Sequence, residues 1–116
     1  MHVAQNQQLN KSKKRENTVE VYAKLKQMDK HVVLAICDVE LLGKTLCEGK
    51  ITFKIKDAFY NGGKINIDEA INMIENATII NIVGKCCIEK AIQKGYIHPD
   101  AIITIEGIPH AQIMKL

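Results

Sequence analysis

Polar and apolar residues alternate in the first third of the chain and give way to helical spacing further on. Val19, Val21, Ala23 and Leu25 interleave with Glu20, Tyr22, Lys24 and Lys26, which predicts a strand with one buried face. Gln27 to Lys30 is a polar turn. His31 to Cys37 (HVVLAIC) is almost continuously apolar, the pattern of a central strand covered on both faces, and the two strands read as a hairpin. Ile51, Phe53 and Ile55 predict a third strand and Ala101 to Ile105 a fourth. Between the second and third, Asp38 to Gly43 fits one helical turn, with Asp38 as its cap and Gly43 ending it.

Asn66 opens a short helix as an Asn-type capping box with Glu69, and Ile67, Ala70, Ile71 and Ile74 form its buried stripe. The longest helical spacing runs over Ala77 to Gly95, where Ile80, Val83, Cys87 and Ala91 recur at three- and four-residue steps. That pattern places Gly84 inside the helix, where glycine signals a close backbone approach. Gly95 is the left-handed stop, with Tyr96 or Ile97 folding back on the last turn. The expected architecture is α+β: a small, mostly antiparallel sheet of about four strands, with two consecutive helices packed on one face.

Length and composition change this picture little. The 116 residues are 47% hydrophobic and 25% charged, with no Trp, which supports one domain with an aliphatic core. Charge placement says more. Residues 1–30 carry seven Lys/Arg against three Asp/Glu, and the remainder nine against ten. Residues 1–17 lack periodicity and read as a disordered basic leader before a domain over 18–116; Lys11, Lys13, Lys14 and Arg15 offer an electrostatic arm for RNA. No apolar run approaches the roughly 18 residues of a membrane span, and the N-terminus lacks the apolar core of a secretory signal. The expected location is the cytoplasm, with no membrane partner.

Candidate chemistry is thin. Gly43-Lys44-Thr45 has the end of a phosphate loop, but the first glycine of that motif would stand where Asp38 is. Cys37, Cys47, Cys86 and Cys87 include no Cys-x-x-Cys pair and read as buried free thiols, so no metal and no cofactor is expected. His110 follows Pro109 in a loop past the last strand, open to acid–base work or to a backbone hydrogen bond. Asp38 and Glu40 suit capping or a cation. Phe59 and Tyr60, in the Ala58 to Lys64 loop, suit base stacking or cover for one end of the core.

The segments AICDVELLGKTLCEGKI, FYNG, NATIINIVGKCCIEKAIQKGYI and GIPHAQ, in that order, resemble the small archaeal family known as domain of unknown function 424, over about residues 19–115. Members carry an Asp-Glu-Glu or similar run where this chain has Asp38-Val39-Glu40, and often an apolar residue or Ala at Cys86 and Cys87. The resemblance implies a small α/β domain of the archaeal cytoplasm associated with RNA or translation. The matching polar and backbone-special positions are Asp38, Glu40, Gly43, Lys44, Glu48, Gly49, Tyr60, Asn81, Gly84, His110 and Gln112.

Together these observations give three function classes. The first is a non-catalytic RNA- or ribonucleoprotein-associated binding module of translation or RNA metabolism, contacting RNA or ribosomal particles through Lys44, the Asp38–Gly49 loop, Tyr60, His110 and Gln112. The second is a small-ligand binder or enzyme using Asp38, Glu40 and His110. The third is a protein–protein interaction domain. No catalytic set is assigned, and the oligomeric state is left open.

Overall fold

The computed structural model describes residues 19–116; the expected basic leader, 1–17, lies outside them. Strand β1 (Glu20–Met28) and strand β2 (His31–Asp38) form the expected hairpin, antiparallel from Val21↔Asp38 to Met28↔His31. Asp29 closes it at φ 54°. After a 3-10 turn (Val39–Leu41), β3 (Thr45–Glu48) and β4 (Ile51–Lys54) form a separate two-stranded sheet. A one-turn helix α1 (Asp57–Tyr60) leads to β5 (Lys64–Asn66), and helix α2 (Ile67–Asn72) continues as a 3-10 turn to Asn76. Then come β6 (Ile79–Val83), helix α3 (Lys85–Gln93), β7 (Ile103–Ile105) and β8 (Ile108–Met114).

Among the described residues the main sheet has six strands rather than about four, in the order β5-β1-β2-β6-β8-β7. Of these strand pairs only β2 and β6 run parallel. The expected helix over Ala77–Gly95 divides at Gly84: its first part is β6 and only its second part is helical. Ile79, Ile80, Ile82 and Val83 are β-branched and suit a pleated, buried surface. Gly84, at φ 119° and ψ 149°, then turns the chain into α3 instead of sitting within a helix. The two helices of this region are therefore not consecutive, because β6 runs between them. The C-terminal segment, expected to be a loop, is β8, and it places His110 in a strand.

β2 is covered on both faces, as its unbroken apolar run requires. On one side Leu34 and Ile36, with Ile80 and Ile82 of β6, meet Ala70, Ile71, Ile74, Cys87 and Ala91 from the helical elements. On the other, Ala35, Cys37 and Val83 pack with Leu46, Ile55 and Tyr60 from the small hairpin and α1. The expected buried face of β1 is only half closed, since Val21 and Ala23 are buried while Val19 and Leu25 are exposed.

Local signals set the element ends. The Asn66 side chain accepts from the Asp68 N–H at 2.7 Å and caps α2. At the end of α3, Gly95 (φ 81°) donates to Ile92 and Tyr96 donates to Ala91, both at 2.9 Å. That pair of bonds is the Schellman motif, with Tyr96 as the residue folding back.

Candidate functional site

Asp38 and Gly84 end the two parallel strands β2 and β6, where the sheet meets the start of α3. Asp38 is the one charged side chain that is buried among the described residues, 3% exposed. It stands before the expected 3-10 turn but makes no capping bond there. Its two carboxylate oxygens instead accept the Cys86 and Cys87 N–H groups, each at 3.0 Å. These are first-turn donors of α3, so the carboxylate satisfies groups that the helix leaves unpaired and meets the positive end of its dipole. An anion supplied by the chain itself thus fills the position that a phosphate would take at such a terminus.

The four cysteines are all free; Cys37 and Cys87 are buried, but Cys47 and Cys86 are exposed, contrary to the expectation of four buried thiols. Burial, reinforced by Asp38 and Glu40, pushes the Cys37 thiol up to about 12. Burial and then Asp38 also raise Cys87 and Cys86. Cys37 and Cys87, both buried, pack as small apolar groups. Among the described residues, no group of three or more His, Cys, Asp or Glu gathers to hold a metal ion.

His110 lies on the opposite side of the sheet. Cys37 pairs with Val83 and Val83 with His110, so these three share the face covered by the small hairpin, while Asp38, the next residue, turns toward α3. Asp38 and His110 are therefore not brought together, and Glu40 is exposed. The His110 ring rests 4.8 Å from that of Phe53, tilted by 47°. Its Nε2 is buried without a hydrogen-bond partner among the described residues.

Burial lowers the His110 pKa from its ordinary 6.5. The unfolded chain therefore takes up this proton before the folded one. The stability contributed by neutral His110 is complete above the unfolded value and is lost as pH falls through it toward the folded value. His110→Phe, which keeps a ring against Phe53, should show a smaller drop in melting temperature than the parent between about pH 7.5 and about pH 5. An equal drop in both proteins would show that His110 does not carry this pH dependence.

Tyr60, expected at a contact surface, is 2% exposed and belongs to the second core. Burial, then the neighbouring Cys37, raises its phenol pKa. Phe59, its neighbour on the single turn of α1, is the exposed aromatic, at 40%. The two rings meet edge to face, centroids 5.1 Å apart at 74°, a favourable aromatic arrangement. Lys44 and Gln112 are exposed.

Two recesses flank α1. One, of about 110 Å³, is floored by Val33 and Ala35 and bordered by Lys24, Lys26, Met28 and Phe59. The other, of about 240 Å³, is bordered by Gly43, Lys44, Lys54, Lys56 and Asp57. Lys24 Nζ donates to the Ala58 carbonyl at 2.8 Å, which pins one cation against the helical turn. The turn is held down in its own way: a Cβ at Gly62 would strike the Ala23 carbonyl oxygen and lie 2.9 Å from Lys24 Cα. None of these five lysines forms an ion pair among the described residues. Composition does not reveal this surface, because its lysines come from β1, β4 and two separate loops and the whole-domain charge is nearly balanced.

Fold and surface define a small α+β domain with a lysine-bordered sheet face and no helix, among the described residues, long and apolar enough to cross a membrane. The chain belongs to the family described as protein of unknown function (DUF424), whose model matches residues 26–116. It is also similar to an uncharacterized conserved protein from Methanopyrus kandleri of known crystal structure. That likeness has a TM-score of 0.72 at 28% sequence identity, covering 84% of this chain and 95% of the other. No curated protein matches the sequence.

Proposed function

We propose that the protein is a non-catalytic RNA-binding module of the cytoplasm that associates with ribosomal or other ribonucleoprotein particles. The observation that carries the reading is the clustering of Lys24, Lys26, Lys44, Lys54 and Lys56 in two recesses beside one exposed aromatic, Phe59. Neutralising phosphates with unpaired lysines releases counterions and supplies most of the sequence-independent affinity for a nucleic acid. An exposed ring beside them adds a stacking surface for unpaired bases. Lys44 keeps its place in the contact surface, and Phe59 takes the role expected of Tyr60. His110 lies beneath the small hairpin, whose strand β4 carries Lys54, and Gln112 is exposed on the same sheet face.

Sedimentation of native lysate tests the proposal. The protein should co-migrate with ribosomal particles and be released by RNase or by a high-salt wash. The variant Lys44→Ala/Lys54→Ala/Lys56→Ala should bind RNA about tenfold or more weakly, with a shallower dependence of affinity on salt. A position among small free proteins under every condition, with affinity unchanged in the variant, would remove this assignment.

A further inference from the structure

Within the RNA-binding reading, on which this inference rests, we propose that the recess between the β1–β2 hairpin and α1 is a subsite for one unpaired base of a single-stranded RNA. Val33 and Ala35 line the recess from the same face of β2, and Ala35 leaves room where a larger residue would fill it. One wall is the Phe59 ring, edge to face with Tyr60 and 40% exposed. The rim carries Lys24, fixed to the Ala58 carbonyl, and Lys26. An apolar floor and an aromatic wall suit the faces of a base, and two cations at the rim suit the phosphates on either side of it.

The row across the sheet continues the same chemistry. Lys24 pairs with Ala35, Ala35 with Asn81, and Asn81 with Gln112, so these four side chains stand side by side on one face of four adjacent strands. Asn81 is therefore about 4.8 Å, one strand spacing, from the floor of the recess, and Gln112 is one strand further. Neither amide has a hydrogen-bond partner among the described residues. Paired amides offer both donors and acceptors to a base edge. In a duplex the bases are stacked and the deep major groove of the A-form keeps side chains out, so this face suits a strand whose bases are splayed. An acidic peptide would use the lysines but would leave the exposed ring and the amide row without a matching group.

The test compares three probes binding to the full chain: a single-stranded RNA ten-mer, the same sequence as a duplex, and an abasic ribose-phosphate ten-mer. The base-bearing single strand should bind about tenfold more tightly than either of the others, since stacking contributes roughly 1–3 kcal/mol per base. Phe59→Ala and Phe59→Leu should each lose about five- to hundredfold in affinity for the single strand and leave the abasic probe and the salt slope unchanged. Phe59→Trp should retain binding. Thermal melts of the variants separate loss of the ring from loss of fold, and Phe59→Leu keeps the apolar bulk while removing the π face. If all three probes bind alike, or if Phe59→Leu binds as the parent does, the subsite is overturned while lysine-dependent RNA binding stands. If the parent binds none of the three, the RNA-binding reading falls as well.

Discussion

Asp38→Asn should lower the free energy of unfolding by about 3 kcal/mol, with the denaturant m-value unchanged. The Asp38 carboxylate is buried and gives one oxygen to each of two N–H donors, those of Cys86 and Cys87. The amide that replaces it has a single oxygen, so its NH2 group must face an N–H with nothing to accept. Two effects then add: loss of a charge-assisted hydrogen bond, about 1.5–3 kcal/mol, and loss of the charge facing the helix dipole, about 0.3–2 kcal/mol. For a domain of this size, 3 kcal/mol corresponds to a fall in melting temperature on the order of 15 °C. Chemical denaturation measures the first quantity. Amide hydrogen exchange at Cys86 and Cys87 gives a local reading, because their protection should collapse before that of β2. A change below about 0.5 kcal/mol would show that solvent serves the helix terminus as well as the carboxylate does.

Asp38 also shows where reading the sequence reaches its limit. A capping residue is recognised by the few residues on its C-terminal side, and by that rule Asp38 belongs to the 3-10 turn at Val39–Leu41. Its actual partners lie 48 and 49 residues away, brought there by the parallel pairing of β2 with β6. Signals that act locally were legible: the β1–β2 hairpin, the two-sided burial of β2, the Asn66 cap and the Gly95 stop all appear where the residues place them. The strand β6 was hidden because its isoleucines and the apolar face of α3 happen to continue one three–four spacing through Gly84. Against that spacing stood four β-branched residues in a row of five and a glycine immediately after them, which together describe a strand and its end. At the surface, the sequence offers Phe59 and Tyr60 as equals. Which ring turns inward is decided by Cys37, Leu46 and Ile55 converging on that point from other elements, and no local pattern carries that information.

Gly84→Ala should be the more damaging of the two substitutions, costing roughly 3–5 kcal/mol. Part of this is backbone strain: Gly84 sits at φ 119°, a region that residues with a Cβ enter at a cost of about 1–3 kcal/mol. The rest is collision. A Cβ at this position would overlap the Asp38 carboxyl carbon and lie 2.6 Å from its Oδ1, so the carboxylate must leave the helix terminus and its two hydrogen bonds are lost. Gly84 cannot simply move away, since its own N–H donates to the Pro109 carbonyl at 2.9 Å and ties β6 to β8. A double-mutant cycle separates the two parts. Asp38→Gly alone removes the cap, at about 3 kcal/mol. In the Gly84→Ala background the cap is already displaced, so the same change should cost little and relieve the collision. The double variant should therefore be more stable than the sum of the single effects by about 2–3 kcal/mol. Additivity within about 0.5 kcal/mol would mean that the glycine is required for its backbone angle alone and that the carboxylate finds another place without loss. A large coupling would mean that glycine and aspartate act as one unit, the absent side chain of the first making room for the cap supplied by the second.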